Sequence, residues 1–161
     1  MNNAARLLLL AAILWLHPST GYAQSKEFKA DTVTVIDAWA PPTLGSQRTG
    51  VVYFTLVNSG GAEDRLVAVS AKGAGWAALH TNIKDGDVMR MRPLDGLSIP
   101  PGATIKLKPR GNHLMLFDLQ SPLIAGQKLS LQLQFARAGK MTVEAEISDQ
   151  APDRDRDHME H

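Results

Sequence analysis

The 161 residues carry 17 Lys+Arg against 16 Asp+Glu and contain no cysteine. This length suggests one domain, and the near-even charge leaves no clustered basic footprint for nucleic acid. Without cysteine, blue-copper and ordinary iron–sulfur centres lack the thiolate they require, and there can be no disulfide framework.

In chain order, Met1 to Ala5 is short and uncharged, and Arg6 is the only charge before an apolar run from Leu7 to Leu16. His17, Pro18 and a small-residue stretch ending Gly21-Tyr22-Ala23 follow. This is the three-part pattern of a secretory signal, with cleavage expected after Ala23. The run is too short for a stable membrane span, which needs roughly 20 apolar residues. No cysteine follows it to carry a lipid. Loss of residues 1–23 removes one charge, Arg6, leaving 16 basic and 16 acidic side chains.

Residues 24–30 read as a polar N-terminal lead, and 31–148 as the folded domain. Thr32 to Asp37 is β-branched and alternating, and Gly50 to Asn58 is a strong strand closed by Ser59-Gly60-Gly61. Further strands are expected at 64–70, 76–83, 88–92, 104–108, 112–118, 127–135 and 141–147, punctuated by turn residues, with 97–99 leading into the Pro100-Pro101-Gly102 turn. No segment sustains a helical period. About eight or nine short strands in about 120 residues imply an all-β, single-domain Greek-key sandwich. From Asp149 the chain turns charged and reads as a flexible tail through residue 161.

The chemistry concentrates on His80, Met91, His113 and Met115, in the spacing H-x10-M-x21-H-x-M. A single strand methionine ordinarily fills a core gap, and a single histidine ordinarily hydrogen-bonds at the surface. Here the two occur jointly. Outside the signal and tail there are only two histidines, and each has a methionine placed to neighbour it. Two imidazoles and two thioethers are a ligand set for Cu(I), because thioether sulfur is soft and binds soft, low-charge copper far better than Zn, Mg or Ca. Asp85-Gly86 reads as a two-residue type I′ hairpin loop. That register sets His80 directly opposite Met91, with Cβ atoms about 4.5–5.5 Å apart. His113 and Met115 are two apart on a strand and share a face, while Leu114 and Leu116 point into the core. The sequence does not show that the two pairs meet.

Beside these four residues stand Ala38-Trp39-Ala40, Thr49-Gly50, Asn58-Ser59-Gly60, Asp64-Arg65-Leu66, Met91-Arg92-Pro93 and Gly111-Asn112-His113-Leu114-Met115. Together they resemble the periplasmic copper chaperone family of the PCu(A)C type, over roughly residues 30–148. The resemblance implies a cupredoxin-like fold, Cu(I) held by His80, Met91, His113 and Met115, and no catalysis. It also implies a copper-accepting partner, a cytochrome c oxidase subunit or another copper assembly factor. One departure is Thr81, where the family often has Met or Glu, so an auxiliary donor is missing.

Met89 lies two residues from Met91 and reads as a spare donor beside the set. Trp76, four residues before His80, could shield the metal, but ordinary core packing is the simpler expectation. In the tail, His158 and His161 sit among acids, a composition that suits a looser Cu(II) site or simply a solvated terminus. No G-x-S-x-G, H-E-x-x-H or paired-acid arrangement appears. The expected protein is a periplasmic Cu(I) carrier with no stable membrane insertion after signal removal. Copper storage or tolerance through the same site, and a metal-independent secreted binding module, are the alternatives.

Overall fold

The computed structural model describes residues 26–152. The expected signal at 1–23 lies outside them, as do His158 and His161. Every regular element among the described residues is a strand. The strands are β1 (Glu27–Ala30), β2 (Val33–Ala40), β3 (Gly50–Asn58), β4 (Asp64–Ala71), β5 (Trp76–Asp85) and β6 (Val88–Leu94), followed by β7 (Leu97–Ile99), β8 (Thr104–Leu107), β9 (His113–Phe117), β10 (Lys128–Phe135) and β11 (Gly139–Ile147). Glu27–Ala30 departs from the expected polar lead. Its alternation is short, but Phe28 pairs with Val35 and packs on the core, so β2 supplies the template that the local sequence lacks.

The strands pair in the order β6-β5-β9-β3-β2-β11-β10-β4-β7, with β1 added to β2 and β8 to β3. The β2–β11 pair is parallel, Trp39 against Glu146 and Ala40 against Ile147. One apolar cluster joins both halves of this path: Val35, Val52, Phe54, Leu114 and Leu116 on one side meet Leu66, Leu131, Phe135 and Val143 from the other. The result is an all-β, single-domain sandwich. Period-two alternation dictates it. In β10, Leu129, Leu131, Leu133 and Phe135 are buried while Lys128 and Gln132 face water. Each such fully buried side chain contributes about 1.5–3 kcal/mol relative to exposure.

β3 positions the site. Along one edge it carries two strands end to end: Phe54–Val57 pair with β8, and Gly50–Val52 pair with β9. Between them the chain makes a tight turn. The Lys108 amide donates to the Asn112 carbonyl at 2.8 Å, and the Gly111 amide donates to the Lys108 carbonyl at 3.1 Å. Arg110 takes a left-handed φ of 63° in that turn. The turn ends at His113, the first residue of β9.

The C-terminal segment remains attached to the fold at least as far as Ala151, which is buried. Asp149 and Gln150, at the start of the expected tail, are exposed.

Candidate metal centre

β5 is the middle strand of the site, with β9 on one side and β6 on the other. His80 pairs directly with His113, and Ala78 pairs with Met115. The two imidazole rings are near neighbours, with centroids 6.0 Å apart and planes 20° from parallel. Met115 is therefore a diagonal neighbour of His80 across the β5–β9 ladder. The alternate residues Leu79, Leu114 and Leu116 are buried in the core, as their period requires.

The β5–β6 register differs from the sequence expectation. Asp85 pairs with Val88, Asn82 with Met91 and His80 with Pro93, so His80 does not face Met91 directly. The loop is Gly86-Asp87 rather than Asp85-Gly86. The reason is backbone conformation. A type I′ loop needs positive φ at both central residues, whereas type II′ needs it only at the first, ordinarily glycine. Gly86 has φ 63°, and neither Asp85 nor Asp87 is left-handed. The pairing moves by two residues, which preserves the face. Met91 becomes a diagonal neighbour of His80, about 7–8 Å away and still in reach of a long side chain.

One face of the sheet thus carries His80, His113, Met91 and Met115, with Met89 further out opposite Lys84. Three of the four described methionines lie here; the fourth, Met141, is buried in β11. The strand positions on this face contain no carboxylate: Ala78, Asn82, Lys84, Pro93, Trp76, Phe117 and Val51 complete it. Among the described residues, no three His, Cys, Asp or Glu side chains gather as a metal site. Hard cations want oxygen donors, and this face offers nitrogen and sulfur instead.

Exposure is graded across the donors. His113 is 4% exposed, Met115 and His80 are half-buried, and Met91 is 49% exposed. The Nδ1 atom of His113 lies 2.9 Å from the Gly111 carbonyl. That partner can only accept, so Nδ1 carries the hydrogen and Nε2 keeps its lone pair for a metal. The Nδ1 atom of His80 is buried with no hydrogen-bond partner. An unsatisfied buried polar atom costs about 1–3 kcal/mol, and a metal ion would remove that cost.

Trp76 departs from its expected core placement. It is 51% exposed and stacks on Phe117 at 3.7 Å between ring centroids, 7° from parallel. Phe117 in turn lies 6.2 Å from the His80 ring. The stack forms an apolar wall at one end of the donor face. Sequence reasoning missed Phe117 and the Gly111 carbonyl. The Pro109-Arg110-Gly111 turn was the available signal for the latter, since it leaves a carbonyl close ahead of His113.

Comparison with known proteins places the chain. The family described as "Putative lipoprotein LpqE-like" matches residues 33–147. A protein of Leifsonia xyli subsp. xyli described as "Putative lipoprotein Lxx21020" is 33% identical over 128 residues, spanning 79% of this chain and 76% of its own. Among solved structures, the "Apo PCuAC domain from PmoF1" is 27% identical, with TM-score 0.66, over 79% of this chain and all of that one. The "Copper-bound PCuAC domain from PmoF2" shares the fold at 23% identity and TM-score 0.67, over 79% of this chain and 99% of that one. With the family match spanning most of the described strands and the fold matched across whole PCuAC domains, the chain belongs to the LpqE-like family and has the PCuAC-type fold.

Proposed function

We propose that this chain is a Cu(I) metallochaperone whose ion is held by His80, Met91, His113 and Met115. The observation that carries the reading is the composition of one sheet face. Both described histidines and three of four described methionines converge there, without a carboxylate, around a buried imidazole nitrogen that lacks a partner. The occurrence of this fold in a domain solved with copper bound accords with the reading at the level of fold.

Thioethers are neutral and need no deprotonation, so they suit an ion that must be surrendered as well as held. The imidazoles must be unprotonated to bind, so acid favours release. The inner donors fix the ion, and the exposed Met91 leaves a side from which an acceptor's ligands can enter. No candidate nucleophile or general base is part of the donor set, and carrying needs none. The function is transfer to a copper-accepting protein, a cytochrome c oxidase subunit or another assembly factor. The setting is the periplasm, after removal of residues 1–23. Use of the same site for copper storage or tolerance would draw on the same chemistry. The looser Cu(II) site at His158 and His161 belongs to this proposal as an addition to the main centre.

A metal-independent binding module would bury Met91 as packing; its exposure argues against that. The test is anaerobic Cu(I) titration of the chain in competition with a chromogenic chelator. One tightly held ion per chain is expected. Met115→Leu keeps volume and should cost under about 1.5 kcal/mol of stability, yet lower Cu(I) affinity at least about tenfold, the loss of about 1.4 kcal/mol of binding. Equal affinity in the variant rejects the assignment.

A further inference from the structure

The β5–β6 hairpin is exposed along almost its whole length beyond the metal face. Residues from Val88 to Pro93 are all solvent-exposed, and so are Lys84 and Asp85 opposite them. Met89 is 55% exposed and therefore fills no core gap. It pairs with Lys84, and Met91 pairs with Asn82, so both thioethers project from the same face of one strand. Successive side chains on one face of a strand are about 6.6 Å apart, a step that two flexible methionine side chains can close. Around the two thioethers on this face stand Asn82 opposite Met91, Lys84 opposite Met89, and Pro93 further in, opposite His80. None is a soft donor, and the Lys84 ammonium opposite Met89 repels a cation, so a thioether there holds copper only in passing.

We propose that Met89 is a transfer ligand. It takes Cu(I) from Met91 at the rim and presents it to the incoming acceptor, so that copper leaves along the outer face of the hairpin. The inference rests on the Cu(I) reading above and adds a direction to it. His113 is the most deeply buried donor and is oriented by a backbone carbonyl; Met91 and Met89 are successively more exposed. Ligand exchange therefore begins at the hairpin. No new bond type is needed: one copper–thioether bond forms as another breaks, without change of oxidation state or movement of a proton. Direct transfer from Met91 would make Met89 dispensable, which gives the test its contrast.

The experiment uses the full chain loaded with one Cu(I). The acceptor probe is a synthetic peptide containing two methionines and two histidines, and transfer is followed by stopped flow. Met89→Leu should slow transfer by about tenfold, because effects of this kind appear in dissociation rates. Its equilibrium affinity should fall far less than that of Met91→Leu. A methyl-labelled methionine NMR titration supplies a second readout that a packing role would not move. At substoichiometric Cu(I), the Met89 methyl signal should broaden through exchange, while those of Met91 and Met115 shift to bound positions. Unchanged transfer with an unaffected Met89 methyl signal overturns the proposal. So does an affinity loss equal to that of Met91→Leu, which would make Met89 a permanent ligand. Failure of the unaltered chain to bind Cu(I) would instead remove the underlying function.

Discussion

The two long antiparallel hairpins, β5–β6 and β10–β11, have similar ladders and opposite designs. In β10–β11 every second residue enters the core: Leu129, Leu131, Leu133 and Phe135 from one strand, Met141, Val143, Ala145 and Ile147 from the other. In β5–β6 the outer half meets almost nothing but itself, with Ile83, Val88, Met89 and Met91 all exposed. The loops differ in the same sense. The Ala136–Ala138 loop is clipped by Asp64 of β4. Its carboxylate accepts hydrogen bonds from the amides of Arg65 at 2.7 Å, Arg137 at 2.9 Å and Ala138 at 2.9 Å. Behind the Gly86-Asp87 loop stands an exposed ion pair, Asp85 with Arg90 at 2.8 Å. One hairpin stabilises the domain. The other leaves apolar and sulfur-bearing side chains in water, where stability gains little from them and the proposed metal exchange would use them.

The contrast is tested most severely at Phe135, which is fully buried on β10. Phe135→Ala should destabilise the domain by about 3–5 kcal/mol, measured by chemical denaturation. Copper stoichiometry of the fraction still folded should be unchanged, since Phe135 points into the core and away from the donor face. A cost below about 1 kcal/mol would mean that the core yields around the missing ring. The division between a stabilising and an exchanging hairpin would then fail on its first side.

Asp64 supplies the next largest effect. Burial pushes its carboxyl upward, but the three amide bonds, with the Arg137 charge, outweigh burial and hold it below its ordinary value of 3.8. A carboxyl lowered in the folded state stabilises the fold above its unfolded pKa. That stabilisation is lost as pH falls through the folded value, which here lies below 3.8. Asp64→Asn places an amide against donors and removes the charge. It should cost about 1–3 kcal/mol at neutral pH and flatten the dependence of stability on pH below 3.8. Thermal melts from neutral to acidic pH measure both; identical slopes in the two proteins would show that the clip is not a titrating contact.

Much of this was legible in the sequence because strand periodicity is local. TVTVID, GVVYFTLVN and QKLSLQLQF state their own alternation, and the same period assigned Leu114 to the core and Met115 to the opposite face. β1 was not legible, because four residues of mixed polarity become a strand only against β2. The hairpin register was misread because Asp-Gly suits two loops, and the choice depends on φ at Asp85 and Asp87, which the dipeptide does not state. The error preserved the donor face because the register moved by an even number of residues. The meeting of His80 with His113 was beyond local reading. It depends on β5 lying beside β9, a pairing between strands distant in sequence, with no connecting turn to announce it.

The smallest effect bears on what holds the exposed hairpin in register. Asp85 and Arg90 form a close pair, but their side chains are 59% and 54% exposed. Exposed pairs of this kind contribute about 0–1 kcal/mol and weaken with salt. Asp85→Asn should therefore change stability by less than about 0.5 kcal/mol and leave Cu(I) affinity intact, because register is set by the backbone ladder and the Gly86 turn. Denaturation and copper titration at low and high salt provide the measurement. A larger loss, with weaker copper binding that salt reproduces in the unaltered chain, would place control of the register in the surface charges. Ionic strength would then govern how readily Met91 stays with the ion, and the exposed hairpin would be an electrostatic clasp rather than a passive extension of the sheet.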